Sequence, residues 1–104
     1  MNVMINFLKN LFNTGHAVNI EELLRNGAII VDVRTEREFK AGHAKGSINI
    51  PLDKLTHDLS KLKKDKPVIT CCASGMRSST AKNILKRNGF SEVYNAGSWT
   101  SIRK

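Results

Sequence analysis

Cysteine is scarce in this 104-residue chain: there are two, side by side at positions 71 and 72. Neighbouring cysteines close no loop, so a disulfide framework is excluded as the source of stability. A zinc site is excluded with it, because there is no C-x-x-C and the three histidines, His16, His43 and His57, are scattered. Aromatic residues are also few. Phe7, Phe12, Phe39, Phe90, Tyr94 and Trp99 are dispersed rather than interleaved with basic residues. That dispersion offers no stacking platform for a polynucleotide, so no nucleic-acid partner is expected. No run approaches the roughly 20 apolar residues of a membrane span. Acidic residues are outnumbered, 9 against 17 basic, which leaves a net charge of +8. The excess speeds the arrival of anions. With many lysines at positions that suit solvated helix faces and loop ends, a small anion is the expected partner.

Hydrophobic residues make up 40% and charged residues 25% of the chain, the balance of an ordinary globular domain. The length suits one domain. Residues 1–17 read as an amphipathic segment packed on it, with Val3/Met4, Phe7/Leu8 and Leu11/Phe12 recurring at helical spacing. That stretch lacks the basic start of a signal peptide. Unpaired thiols suit a reducing compartment, so a cytoplasmic location is expected, and the single small domain is expected to be a monomer.

From residue 18 onward, helix and strand patterns alternate. Asn19 to Leu24 has a helix start with Asn19 as N-cap and Glu22 at N3, and Asn26-Gly27 ends it. Ala28–Val33 is a continuous β-rich run, the signature of a strand buried on both faces. Thr35-Glu36-Arg37-Glu38 has capping-box spacing and opens a short helix through Ala41. Ser47–Ile50 is a brief extended piece closed by Pro51. Leu52, Leu55, Leu59 and Leu62 share one helical face. Pro67 precedes a buried strand, Val68–Cys71. A helix follows from Ser78 or Ser79 to Gly89, then a strand at Glu92–Asn95 and a loop, Ala96-Gly97-Ser98-Trp99. This order predicts a small α/β fold: a central parallel sheet flanked by helices on both faces. Ligands of such sheets bind beyond the carboxyl ends of the strands.

One loop stands at that place. A strand runs into Cys72, turns through Ala73-Ser74-Gly75-Met76, and opens a helix at Arg77-Ser78. Thiolate is the reactive form of cysteine, and helix N-termini and cations favour it. A tight turn with inward N–H groups makes an anion-binding concavity. Arg77 can reach back as a planar fork toward an oxyanion or a second sulfur.

From about Asn19 to Trp99 the chain resembles the rhodanese-like sulfurtransferases in their single-domain form. The resemblance rests on Asp32-Val33-Arg34, Glu38-Phe39 with Gly42-His43, Gly46 to Pro51, the loop Cys72 to Ser78, Gly89-Phe90, and Gly97-Ser98-Trp99. It implies a Cys72 that cycles between thiolate and persulfide, with no metal or organic cofactor. The donor is then a small anionic sulfur compound, thiosulfate or a persulfide, and the acceptor a thiol or protein. The resemblance also implies that the loop residues Ala73, Ser74, Gly75, Met76 and Ser78 hold the transferred sulfur, and that Arg77 helps to bind the donor. Two positions depart from the family pattern: Ala96-Gly97 where a Gly-Gly pair is common, and Cys71 where an apolar residue is common.

The doubled cysteine keeps a rival open. Counted from Cys72 the loop is Cys-x4-Arg, the sulfurtransferase length. Counted from Cys71 it is Cys-x5-Arg, the length of rhodanese-fold phosphatases and arsenate reductases. Thr70 in place of their usual histidine, and the strand pattern through Cys71, favour Cys72. A non-enzymatic sulfur carrier or interaction module is a further alternative. Asp32 and Arg34 read as an orienting ion pair, Cys71 as a buried strand residue, and His43 as either pocket rim or turn packing.

Overall fold

The computed structural model describes residues 19–102; the amphipathic segment read at 1–17 lies outside the described residues. Four strands, β1 (Ile29–Asp32), β2 (Ile48–Asn49), β3 (Val68–Cys72) and β4 (Val93–Ser98), form one sheet in the order β2-β1-β3-β4. All pairings are parallel. The α-helices are α1 (Ile20–Arg25), α2 (Glu36–Ala41) and α3 (Met76–Arg87). The central strand β3 is buried along its whole length, as a strand covered on both faces must be.

Two cores lie on opposite faces of the sheet. One packs Val31, Val33, Leu55, Val68, Cys72, Ala81, Leu85 and Phe90, and so joins β1 and β3 to α3 and the leucine segment. The other packs Ile30, Ala44, Ile69, Cys71 and Ile102, with Leu23, Leu24 and Trp99 against it. Alternation along a strand sends Cys71 and Cys72 to different cores.

Local chemistry fixes the ends of the short helices. The Asn19 side chain accepts the Glu22 N–H at 3.0 Å, capping α1. At α2 the capping box is complete: Thr35 Oγ1 accepts the Glu38 N–H at 3.2 Å, and Glu38 Oε1 accepts the Thr35 N–H at 2.9 Å.

Several expected elements differ from the sequence reading. Leu52 to Leu62 is not one α-helix but two 3-10 segments, Leu52–His57 and Leu59–Lys61, which break at Asp58. Residues three apart eclipse in a 3-10 helix, so Leu52/Leu55 and Leu59/Leu62 each stack on one side without α-helical turns. The strand before the loop includes Cys72, and α3 starts at Met76 rather than at Ser78 or Ser79. The last strand continues through Ser98, so Ala96-Gly97-Ser98 is strand and not loop. A register shift allows this: Thr70 pairs with Asn95 and Cys71 with Gly97, which leaves Ala96 as the extra residue.

Candidate active site

The carboxyl end of β3 delivers Cys72 to the start of α3. Gly75 makes the turn, with φ of 110°, a left-handed conformation that glycine adopts without strain. No side chain caps α3. The sulfur takes that part instead: Cys72 Sγ accepts the Gly75 N–H at 3.0 Å and the Ser78 N–H at 3.3 Å. Ser78 is the third residue of the helix, where a capping acceptor ordinarily binds. The reading of Ser78 or Ser79 as the helix start followed residue type and missed a sulfur cap.

Cys72 is buried, 1% exposed, and burial alone opposes its ionisation. The Ser78, Gly75 and Ser74 N–H groups, together with the neighbouring Ser78 hydroxyl, which can turn its proton to a thiolate, outweigh burial and lower the thiol's pKa. Cys71 is the opposite case. Burial, with the Asp32 charge adding to it and Arg34 partly opposing, pushes its pKa up to about 12. The cradle of N–H groups therefore closes on Cys72 and leaves Cys71 a neutral thiol in the other core.

Arg77 is engaged in an ion pair. Its guanidinium is a two-pronged partner of Glu38 on α2, at 2.7 and 3.0 Å. The ion pair pulls the Glu38 carboxyl down to about 2, with the Thr35 hydrogen bonds assisting. The Cys72 charge still acts on Arg77 and helps to raise the guanidinium's pKa. Among the loop residues, Ala73, Ser74 and Met76 face solvent, Gly75 is half-buried and Ser78 is fully buried.

Asp32 and Arg34 form the orienting pair that the residues suggest. Arg34 Nη2 meets Asp32 Oδ2 at 2.8 Å, and Arg34 Nε meets Oδ1 at 3.0 Å. The same Nη2 donates to the Gly42 carbonyl at 2.6 Å. The guanidinium lies 4.8 Å over the Trp99 ring. This buried pair locks the turn after β1 to the end of α2, away from the sulfur. His43 packs its turn: its ring stacks on Phe39 at 3.7 Å, and its Nδ1 lies 2.8 Å from the Phe39 carbonyl.

One contributor escaped the sequence reading. Asn95 Oδ1 accepts from Ser78 Oγ at 2.6 Å and from the Gly97 N–H at 2.9 Å. Its Nδ2 donates to the Gly75 carbonyl at 3.3 Å. The available signal was compositional: asparagine is depleted in strands, and here it sits inside one.

A cysteine at the end of the central strand, a glycine turn and an arginine-bearing helix on a parallel sheet is an arrangement with known relatives. Residues 16–104 match the rhodanese-like domain model. The chain belongs to the rhodanese-like family. It is 41% identical over 78 residues to the uncharacterized protein YqhL of Bacillus subtilis, a match covering 72% of this chain and 62% of that one. It is 38% identical over 74 residues to the thiosulfate sulfurtransferase GlpE of Ectopseudomonas mendocina, covering 71% of this chain and 68% of that one. Among solved structures, a rhodanese with anions from E. coli superposes with a TM-score of 0.69 at 32% identity, covering 73% of this chain and 92% of that one. Among the described residues, no helix is long and apolar enough to cross a membrane.

Proposed function

We propose that this rhodanese-like domain is a sulfurtransferase that carries sulfane sulfur as a persulfide on Cys72. The observation that carries the reading is the set of N–H groups aimed at Cys72 Sγ. They stabilise the thiolate, and the same turn suits a second, negatively charged sulfur beyond it. The relationship to thiosulfate sulfurtransferases supports the same chemistry.

Two displacements make the cycle. The Cys72 thiolate attacks the outer sulfur of thiosulfate or of a small persulfide. The new S–S bond forms as the donor's S–S bond breaks, and sulfite or a thiolate leaves with the electron pair. An acceptor thiolate, small or protein-borne, then attacks the outer sulfur of the persulfide, and the Cys72 thiolate leaves. No net oxidation occurs, and no metal or organic cofactor takes part. Splitting one transfer into two displacements is ordinary covalent catalysis. Ala73, Ser74, Gly75, Met76 and Ser78 line the terminal sulfur with backbone. Arg77 contributes a positive field, and its bond to Glu38 fixes the first turn of α3.

Incubation with thiosulfate or glutathione persulfide is expected to add about 32 Da, one sulfur, to the intact protein. The gain is expected to disappear in Cys72→Ser and persist in Cys71→Ser, with sulfite release following the same pattern. A gain that follows Cys71 instead, or hydrolysis of p-nitrophenyl phosphate without sulfur uptake, overturns the proposal.

A further inference from the structure

The Ser78 hydroxyl has one proton and two neighbours able to take it. Its Oγ lies 3.3 Å from Cys72 Sγ and 2.6 Å from Asn95 Oδ1. The Asn95 amide is held from two other sides, by the Gly97 N–H on Oδ1 at 2.9 Å and by the Gly75 carbonyl on Nδ2 at 3.3 Å. Turned end for end, the amide would set its NH2 group against the Gly97 N–H and its oxygen against the Gly75 carbonyl. Both bonds would become repulsions, so the orientation is fixed. An amide oxygen has no proton to give, and the contact at 2.6 Å therefore uses the proton of Ser78. The lone pairs of Ser78 Oγ then face Cys72, whose S–H is the donor between them. This arrangement serves the neutral thiol. Once Cys72 ionises, Ser78 donates to the sulfur only by releasing Asn95.

We propose that Asn95 is a positioning residue for the reactive sulfur: it competes with the Cys72 thiolate for the single proton of the Ser78 hydroxyl. Oδ1 keeps the Gly97 N–H when Ser78 turns away, so the exchange leaves no buried oxygen unpaired. The proposal rests on the reading of Cys72 as the nucleophile and holds whichever sulfur donor is used. It deals with charge already in place. From β1 and the turn after it, the Asp32–Arg34 pair acts on Cys71, its neighbour across the sheet; on β3 there is Cys71 itself; from α2 and α3 comes the Glu38–Arg77 pair. On β4, Tyr94 alternates to the side away from Asn95. Replacing Asn95 with a neutral residue alters none of these charges.

The test is a double-mutant cycle read by the pH titration of Cys72, followed by thiolate absorbance and confirmed by the pH dependence of alkylation. Asn95→Ala is expected to lower the Cys72 pKa and so raise the thiolate fraction about tenfold at pH values below it, the scale of one hydrogen bond to a charged group. In the Ser78→Ala background the same substitution is expected to change that fraction less than about twofold. Asn95→Asp, which keeps an acceptor for Ser78 and Gly97 and so spares the strand, is expected to raise the pKa more with Ser78 present than in Ser78→Ala, because a carboxylate holds a hydroxyl proton harder than an amide does. Equal shifts in the two backgrounds, or no fall in Asn95→Ala, overturn the proposal. The titration needs no sulfur donor, so its failure is separate from a failure of Cys72 to take up sulfur.

Discussion

Glu38 serves two elements with one carboxylate. It closes the capping box of α2 through Thr35 and holds Arg77 at the start of α3. Its folded pKa of about 2 lies below the ordinary 4.5. The contribution of a depressed carboxylate is complete above its unfolded value and fades as pH falls through the folded one. The urea midpoints of wild type and Glu38→Gln are therefore expected to differ near neutrality and to converge as pH drops from about 4.5 toward about 2. A gap that persists at the acid end would assign the loss to packing rather than to charge. At this scale the sequence is legible where chemistry depends on near neighbours. Cys72, Gly75 and Ser78 lie within one turn, and their spacing alone points to a cradle. The Glu38–Arg77 contact joins residues 39 apart, and the Ser78–Asn95 contact residues 17 apart. No local pattern encodes such pairs, and so Arg77 reads from sequence as a free fork when the fold gives it a partner.

Elements differ in how firmly their ends are written. The caps at Asn19 and Thr35 each accept the N–H three residues on, and both helices begin where those residues say. Loss of the Thr35 cap is a local event: Thr35→Ala is expected to cost about 1 kcal/mol, measured by denaturant unfolding. The start of α3 is written differently, by backbone conformation and a sulfur. Gly75 at φ of 110° permits the turn, and a Cβ there would come within 3.4 Å of Gly97 Cα, which is ordinary contact. The penalty for Gly75→Ala is thus conformational, about 1–2 kcal/mol. Sulfur uptake by Cys72 is expected to slow as well, since the Gly75 N–H is one of its ligands. The leucine segment shows why periodicity can mislead. Spacings of three and four satisfy an α-helix and also a pair of 3-10 segments with a break between them, and Asp58 marks that break. The length of β4 was hidden for another reason: a bulge at Ala96 carries a glycine-containing stretch, normally read as loop, onward as strand.

The whole molecule is a sheet with different work on its two faces. The core that includes Cys72 also holds Phe90 and Leu85, at 1% and 0% exposure, so the Cys72 sulfur shares a core with the largest fully buried side chain among the described residues. Phe90→Ala is expected to cost about 3–5 kcal/mol in denaturant unfolding. The parallel α/β character, the order of elements and the site's place at a strand end were all readable from alternating patterns, since buried strands and capped helices differ in composition. Which core each residue enters was not readable at the bulge, where one extra residue rephases the strand.

The two thiols point to opposite sides of the sheet although a single peptide bond joins them. A strand cannot bring such neighbours together without being dismantled, and the sequence holds no third cysteine. A Cys72 that meets an oxidant therefore has no companion within its own fold to rescue it. Its repair depends on thiols that come from outside the sheet.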